Sequence, residues 1–147
     1  MGRPASGAWV PVAPSGDGRR IPESLARADE ETLVDVQVET RAGLDALDEI
    51  LAVDGLDLVF VGPGDLSASL ALNGGLADPR LQPLVEDVID RASAVGKATG
   101  VFAPDVESGA AWLARGVGLV LVGSDLGFLA AAVERAWQML YDAPPAT

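Results

Sequence analysis

Four short apolar runs punctuate this chain, at Leu33–Val38, Leu56–Val61, Ala98–Phe102 and Gly118–Val122. They are rich in β-branched residues and too short for helices, which predicts strands covered on both faces. Between them the period changes to a helical one. Thr40–Val53 places Leu44, Leu47, Ile50 and Leu51 on one face. Asp78–Val95 does the same with Leu81, Leu84, Val85, Val88 and Ile89, and ends near Gly96. It opens on Asp78-Pro79, the signature of an N-cap followed by proline at the first helical position. Asp105–Arg115, stopped by Gly116, and Asp125–Leu140 complete the series, with a short extra helix expected at Asp65–Leu70.

Strands and helices therefore alternate as four βα units, which predicts an α/β fold with a parallel sheet and right-handed crossovers. Four such units also correspond to half of a (β/α)₈ TIM barrel, an architecture of about 250 residues when complete. In a half-barrel the first and last strands are edges that something has to cover. Residues 1–27 are rich in Gly, Pro, Ser and Arg without a clear period, and are expected to be partly irregular. The half-barrel is expected over 28–140, with a short tail at 141–147. No Gly-x-Gly-x-x-Gly follows the first strand and no Gly-Lys-Ser/Thr occurs, so a nucleotide site has little support.

Composition narrows the chemistry. The 147 residues include no cysteine and no histidine. Disulfides, zinc–thiolate sites and thiol nucleophiles are excluded, as is the commonest general base. Catalysis by this chain would rest on carboxylates, Lys97, Tyr141, arginines, backbone groups or a metal-bound water. A net charge of −12 argues against nucleic acid and anionic lipid as partners. No apolar run reaches membrane-spanning length and Met1-Gly2-Arg3-Pro4 has no apolar signal core, so a soluble, cytoplasmic protein is the expectation.

Two carboxylates lie where a strand run gives way to a helix: Glu39 in Val36-Gln37-Val38-Glu39-Thr40, and Asp65 in Gly62-Pro63-Gly64-Asp65-Leu66-Ser67. In a parallel α/β fold such positions share one rim of the sheet, where two converging carboxylates suit a hard divalent cation. Alternation along the first strand points Asp35, Gln37 and Glu39 one way and Val34, Val36 and Val38 the other. Each residue also has a plain structural explanation. Glu39 can simply favour the positive end of the next helix, and Asp65 can be an N-cap in Gly-Asp-Leu-Ser. Gln37 can be a hydrogen-bonding residue with no ligand. Gly123-Ser124-Asp125 is compatible with another N-cap. Asp57, Lys97 and Asp105 read as capping or solvated residues, Trp112 and Phe128 as packing.

Taken together, Val-Gln-Val-Glu-Thr-Arg at 36–41, Val-Phe-Val-Gly-Pro-Gly-Asp-Leu-Ser at 59–67, Gly-Lys-Ala at 96–98 and Val-Gly-Ser-Asp-Leu at 122–126 resemble the HpcH/HpaI aldolase family. These are metal-dependent 2-oxo-acid aldolases that include 2-dehydro-3-deoxyglucarate aldolase. The resemblance runs from about Ala28 to Trp137 and corresponds to the C-terminal half of the family's barrel.

The resemblance implies a (β/α)₈ barrel, an oligomer, and Mg²⁺, Mn²⁺ or Co²⁺ bound through Glu39 and Asp65. It implies that the metal chelates the carboxylate and keto oxygens of a pyruvate moiety and stabilises the enolate formed on C–C cleavage. Gln37 matches a pocket-lining position, and Gly62, Pro63, Gly64 and Asp65 match the turn whose backbone N–H groups receive the substrate carboxylate. The family's proton-transferring histidine and its arginine belong to the other half of the barrel, so no catalytic residue is assigned here. Asp35 departs from the family, whose residue there is usually aliphatic. The implied activity is reversible retro-aldol cleavage of a 4-hydroxy-2-oxo acid to pyruvate and an aldehyde, in a truncated or split form. The alternatives are a non-catalytic remnant or partner subunit of a full-length aldolase, and a lyase acting on citryl- or malyl-thioesters. The expected partners are a 2-oxo acid and either further copies of this chain or a complementary aldolase half.

Overall fold

A computed structural model describes residues 32–141. The segment expected to be irregular, 1–27, lies outside the described residues, as does the tail from 142 onward. Four strands, β1 (Asp35–Val38), β2 (Leu58–Val61), β3 (Ala98–Ala103) and β4 (Leu119–Val122), form one parallel sheet in sequential order. Each is paired in register with the next, with Gln37 opposite Phe60, Phe60 opposite Gly100 and Gly100 opposite Leu119. Among the described residues, the sheet's two outer strands are therefore β1 and β4, as the sequence predicts.

Among the described residues, six α-helices accompany the strands: α1 (Arg41–Asp45), α2 (Leu47–Leu51), α3 (Pro63–Ser69), α4 (Leu81–Ala94), α5 (Val106–Ala114) and α6 (Asp125–Tyr141). The single helix expected over Thr40–Val53 is two short ones, because the backbone leaves helical geometry at Ala46. Gly43 in the first piece weakens it, and the break lets Leu47 and Leu51 turn into the core. Thr40 caps α1 by accepting from the Gly43 N–H at 3.0 Å. Tyr141, placed in the tail by the sequence, is still helical.

The predicted cap at Asp78 is also corrected. Helix α4 begins three residues later, at Leu81, with Arg80 rather than Asp78 at the capping position. The buried Asp78 carboxylate instead closes the preceding loop. It accepts from the Arg80 N–H at 3.0 Å, from the Gly74 N–H at 3.4 Å, and from the Arg80 guanidinium at 2.9 and 2.8 Å. A carboxylate that finds a guanidinium two residues away has a stronger partner than a helix N–H. Asp105 does cap as expected, with its Oδ1 accepting from the Ser108 N–H at 2.8 Å.

The core lies between the sheet and α2, α4 and α5. It is filled from one face of the sheet by Val38, Val59, Val61, Val101 and Ala103, and from the helices by Leu47, Val85, Ile89 and Trp112, among others. Full burial of a valine or leucine side chain contributes about 1.5–3 kcal/mol before entropy is counted. Gly109 lets α5 approach closely: a Cβ there would lie 3.0 Å from Val122 Cγ2.

The opposite face carries Asp35, Gln37, Leu58, Phe60, Gly100, Leu119 and Leu121 by strand alternation. Phe60 lies across Gly100, where a Cβ would come within 2.6 Å of its Cδ2. Leu119 and Leu121, on the edge strand, are exposed. So is all of α6, which has no buried residue and presents Leu126, Leu129, Val133 and Trp137 to solvent. Phe128, read as packing from its spacing, is 61 % exposed. Asp35 is exposed as well. Among the described residues, no helix is long and apolar enough to cross a membrane.

Candidate functional site

Every βα connection of this sheet leaves from the same rim, the one formed by the C-terminal ends of the strands. Gln37 is the third residue of β1, and Glu39 follows the strand's end. The two side chains point the same way, as alternation requires, and Gln37 Nε2 donates to Glu39 Oε2 at 2.7 Å. Glu39 is half-buried and does not cap the next helix, since Thr40 does so. The amide therefore holds one carboxylate oxygen in place, leaving the other for a further partner.

Beside this pair stands Gly62, the residue between β2 and α3. A Cβ at Gly62 would lie 2.5 Å from Gln37 Nε2 and 3.2 Å from both Cβ and Oε2 of Glu39. Only glycine allows the Gln37–Glu39 pair to lie this close to the turn. The Gly62 N–H donates to the Val38 carbonyl at 3.2 Å, which fixes the turn to the end of β1.

Pro63 opens α3 at its first position, where a missing N–H costs nothing. Pro63 is buried, whereas Gly64 and Asp65 are exposed. Asp65 is thus not the N-cap of α3 but its third residue, a position where its charge favours the helix dipole. Among the described residues its carboxylate has no hydrogen-bond partner. Leu66 and Ser67, fully buried, anchor the helix beneath it.

Glu39, Asp65 and Gln37 provide oxygen donors only, a set suited to hard divalent cations. Among the described residues there is no group of three or more His, Cys, Asp or Glu side chains that could hold a metal ion. Two carboxylates remain compatible with a cation such as Mg²⁺, which commonly takes one or two and fills the remaining positions with water and substrate. In chemical type this donor set suits such an ion.

At the last strand end, Gly123-Ser124-Asp125 proves to be a helix start. Ser124 Oγ accepts from the Gly127 N–H at 3.1 Å, and Asp125 Oδ1 accepts from the Leu126 N–H at 2.8 Å. Two other carboxyls are held below their usual range. The Arg80 guanidinium and N–H do this for Asp78, and the Ser108 hydroxyl and N–H do so for Asp105.

The sequence profile of the HpcH/HpaI aldolase/citrate lyase family matches residues 14–132. The chain belongs to this family. A hydroxypyruvate/pyruvate aldolase of Roseovarius nubinhibens is 42 % identical to this HpcH/HpaI chain over 110 residues, covering 75 % of the chain and 43 % of the relative. A 2-keto-3-deoxy-L-rhamnonate aldolase of Klebsiella pneumoniae is 39 % identical over 133 residues, covering 90 % and 50 %. Among solved structures, an HpcH/HpaI aldolase/citrate lyase family protein from Burkholderia cenocepacia superposes with a TM-score of 0.74 at 33 % identity. That superposition covers 85 % of this chain and 48 % of the other. The HpcH/HpaI chain thus spans about half the length of the relatives it matches, and its four βα units match half of the family's TIM barrel.

Proposed function

We propose that this chain carries the metal- and pyruvate-binding part of a class II 2-oxo-acid aldolase. The reaction is reversible retro-aldol cleavage of a 4-hydroxy-2-oxo acid to pyruvate and an aldehyde. The observation that carries the reading is the Glu39 carboxylate, held by Gln37 at 2.7 Å and pressed against the side-chain-free Gly62. A glutamate with one oxygen immobilised at the strand-end rim is prepared to bind an ion without first paying side-chain entropy. The similarity to pyruvate and 2-keto-3-deoxy-acid aldolases supplies the substrate class.

In this reading Glu39 and Asp65 hold Mg²⁺, Mn²⁺ or Co²⁺, which when bound supplies Lewis acidity toward the keto and carboxylate oxygens of the substrate. Gln37 orients Glu39. The Gly62-Pro63-Gly64-Asp65 turn keeps side chains away from the substrate, and its backbone receives the substrate carboxylate. The chain contains no histidine, so the proton transfer that the reaction needs falls to a group from a different chain, a complementary half-barrel. A cytoplasmic setting is consistent with this chemistry.

A second reading, a non-catalytic subunit of a full-length aldolase, draws on the exposed Leu119 and Leu121 of β4, the kind of surface that a partner covers. The family profile also takes in citrate lyases, but the Gln37-Val38-Glu39-Thr40 and Gly62-Pro63-Gly64-Asp65 motifs favour the oxo-acid branch.

Mn²⁺ titration of the chain tests the site. Glu39→Ala and Asp65→Ala are each expected to weaken binding at least about tenfold, since each removes a charged ligand. Unchanged affinity in both variants sinks the assignment. Pyruvate release from a 4-hydroxy-2-oxo acid, assayed with the chain alone and with a complementary half-barrel added, separates the two readings. Turnover only in the mixture identifies a split enzyme, and none in either identifies the non-catalytic subunit.

A further inference from the structure

Helix α3 has seven residues and is about 10 Å long. It is tied to the end of β1 at both of its ends. At the first, the Gly62 N–H donates to the Val38 carbonyl. At the second, Ser69 Oγ, on the last residue of α3, accepts from the Arg41 N–H at 3.0 Å across 28 positions of sequence. Arg41 opens α1, and its N–H is one of the first-turn donors that a helix cannot satisfy internally. One tie locates a helix; two fix its direction.

The placement of these ties matters for the two carboxylates. Asp65 and Ser69 are four residues apart, on the same face of α3 and one turn from each other. Glu39 and Arg41 are two residues apart where β1 runs into α1. A single hydrogen bond therefore joins the stretch carrying one carboxylate to the helix face carrying the other. We propose that Ser69 is a positioning residue, whose hydroxyl latches α3 to the end of β1 and so sets the separation of Asp65 from Glu39 for a shared divalent cation. This rests on the reading of Glu39 and Asp65 as metal ligands. Without the latch, α3 keeps its buried anchors Leu66 and Ser67, and the Gly62 tie becomes a pivot about which Asp65 swings.

The test uses the full 147-residue chain and Mn²⁺ alone, with free Mn²⁺ followed by electron paramagnetic resonance. Ser69→Ala is expected to weaken Mn²⁺ binding about fivefold, the factor that one lost hydrogen bond carries. Ser69→Thr, which keeps the hydroxyl, restores it to within about twofold. In metal-free protein, hydrogen exchange at the Arg41 amide quickens in Ser69→Ala and not in Ser69→Thr. Wild-type affinity in Ser69→Ala, alongside weakened binding in Glu39→Ala, overturns the latch and leaves the carboxylate site standing. A lower melting temperature with unchanged affinity does the same, since that is the signature of a merely structural hydroxyl. An Arg41 amide that exchanges equally in all variants also overturns it. If Glu39→Ala and Asp65→Ala leave affinity untouched as well, the metal reading itself is lost.

Discussion

The two ends of the sheet are built for different purposes. At the C-terminal rim, the side chains of Gln37 and Glu39 are bonded to each other and the Asp65 carboxylate is exposed. At the N-terminal rim the polar groups are used up in holding backbone. Lys97 Nζ donates to the carbonyls of Val53 at 3.1 Å and Leu56 at 2.7 Å, and Asp57 Oδ2 accepts from the Val34 N–H at 2.9 Å. The only lysine in the chain thus closes the connection from α2 to β2. Barrel-type folds concentrate chemistry at the first kind of rim and stability at the second. The contrast predicts that substitutions at one end change binding and those at the other change folding.

The largest expected effect is an exception to that rule. Leu66, fully buried, sits next to Asp65 on the chemical rim. Leu66→Ala is expected to cost about 2–5 kcal/mol in urea unfolding. A cost below about 1 kcal/mol would mean that α3 is not seated in the core. Lys97→Met comes next, at about 1–2 kcal/mol for two lost bonds to backbone carbonyls, with Mn²⁺ affinity unchanged. A change in affinity would break the division between the rims.

Asp78, in the loop between α3 and α4, supplies a pH dependence. Its carboxyl is depressed in the folded protein, chiefly by the Arg80 guanidinium, so the unfolded chain binds its proton more readily. Its stabilisation is therefore present above the ordinary carboxylate value near pH 4 and is lost as pH falls toward the folded value. Between pH 5 and pH 2 the urea midpoint of Asp78→Asn should fall less steeply than that of wild type, and parallel curves would remove the role given to this pair. The smallest effect belongs to Glu39→Gln. It should alter stability by less than about 0.5 kcal/mol while weakening Mn²⁺ binding. A stability change larger than that would make Glu39 a structural residue.

The strands were legible because each is a short β-branched run bounded by polar residues, and their ends moved by only one or two positions. Alternation also placed Gln37 and Glu39 on one side, where the structure joins them by a hydrogen bond. What periodicity does not carry is the partner of a polar group. Asp78 looked like a cap because Asp-Pro precedes an apolar helix, yet its carboxylate met Arg80 first. Lys97 and Ser69 acquire their partners, 41 to 44 and 28 positions away, only when separate elements come together. Gly62 belonged to a turn motif from the start. Its need to lack a side chain, however, comes from Gln37 in another strand. Phe128 shows the reverse failure: a helical apolar spacing identifies a face, not what the face rests on.

Helix α6 has a consequence for the chain as a particle in solution. Seventeen residues long, it exposes Leu126, Leu129, Val133 and Trp137 while the whole chain carries a charge of −12. Mutual repulsion between such particles opposes contact between their α6 surfaces, and that repulsion depends on conditions. It vanishes as pH approaches the isoelectric point expected from the sequence, about 4.1. It also shrinks in range to about 3 Å in molar salt. The preparation will therefore cloud first in acid or in concentrated salt, and a Leu129→Glu substitution on α6 will keep it clear furthest.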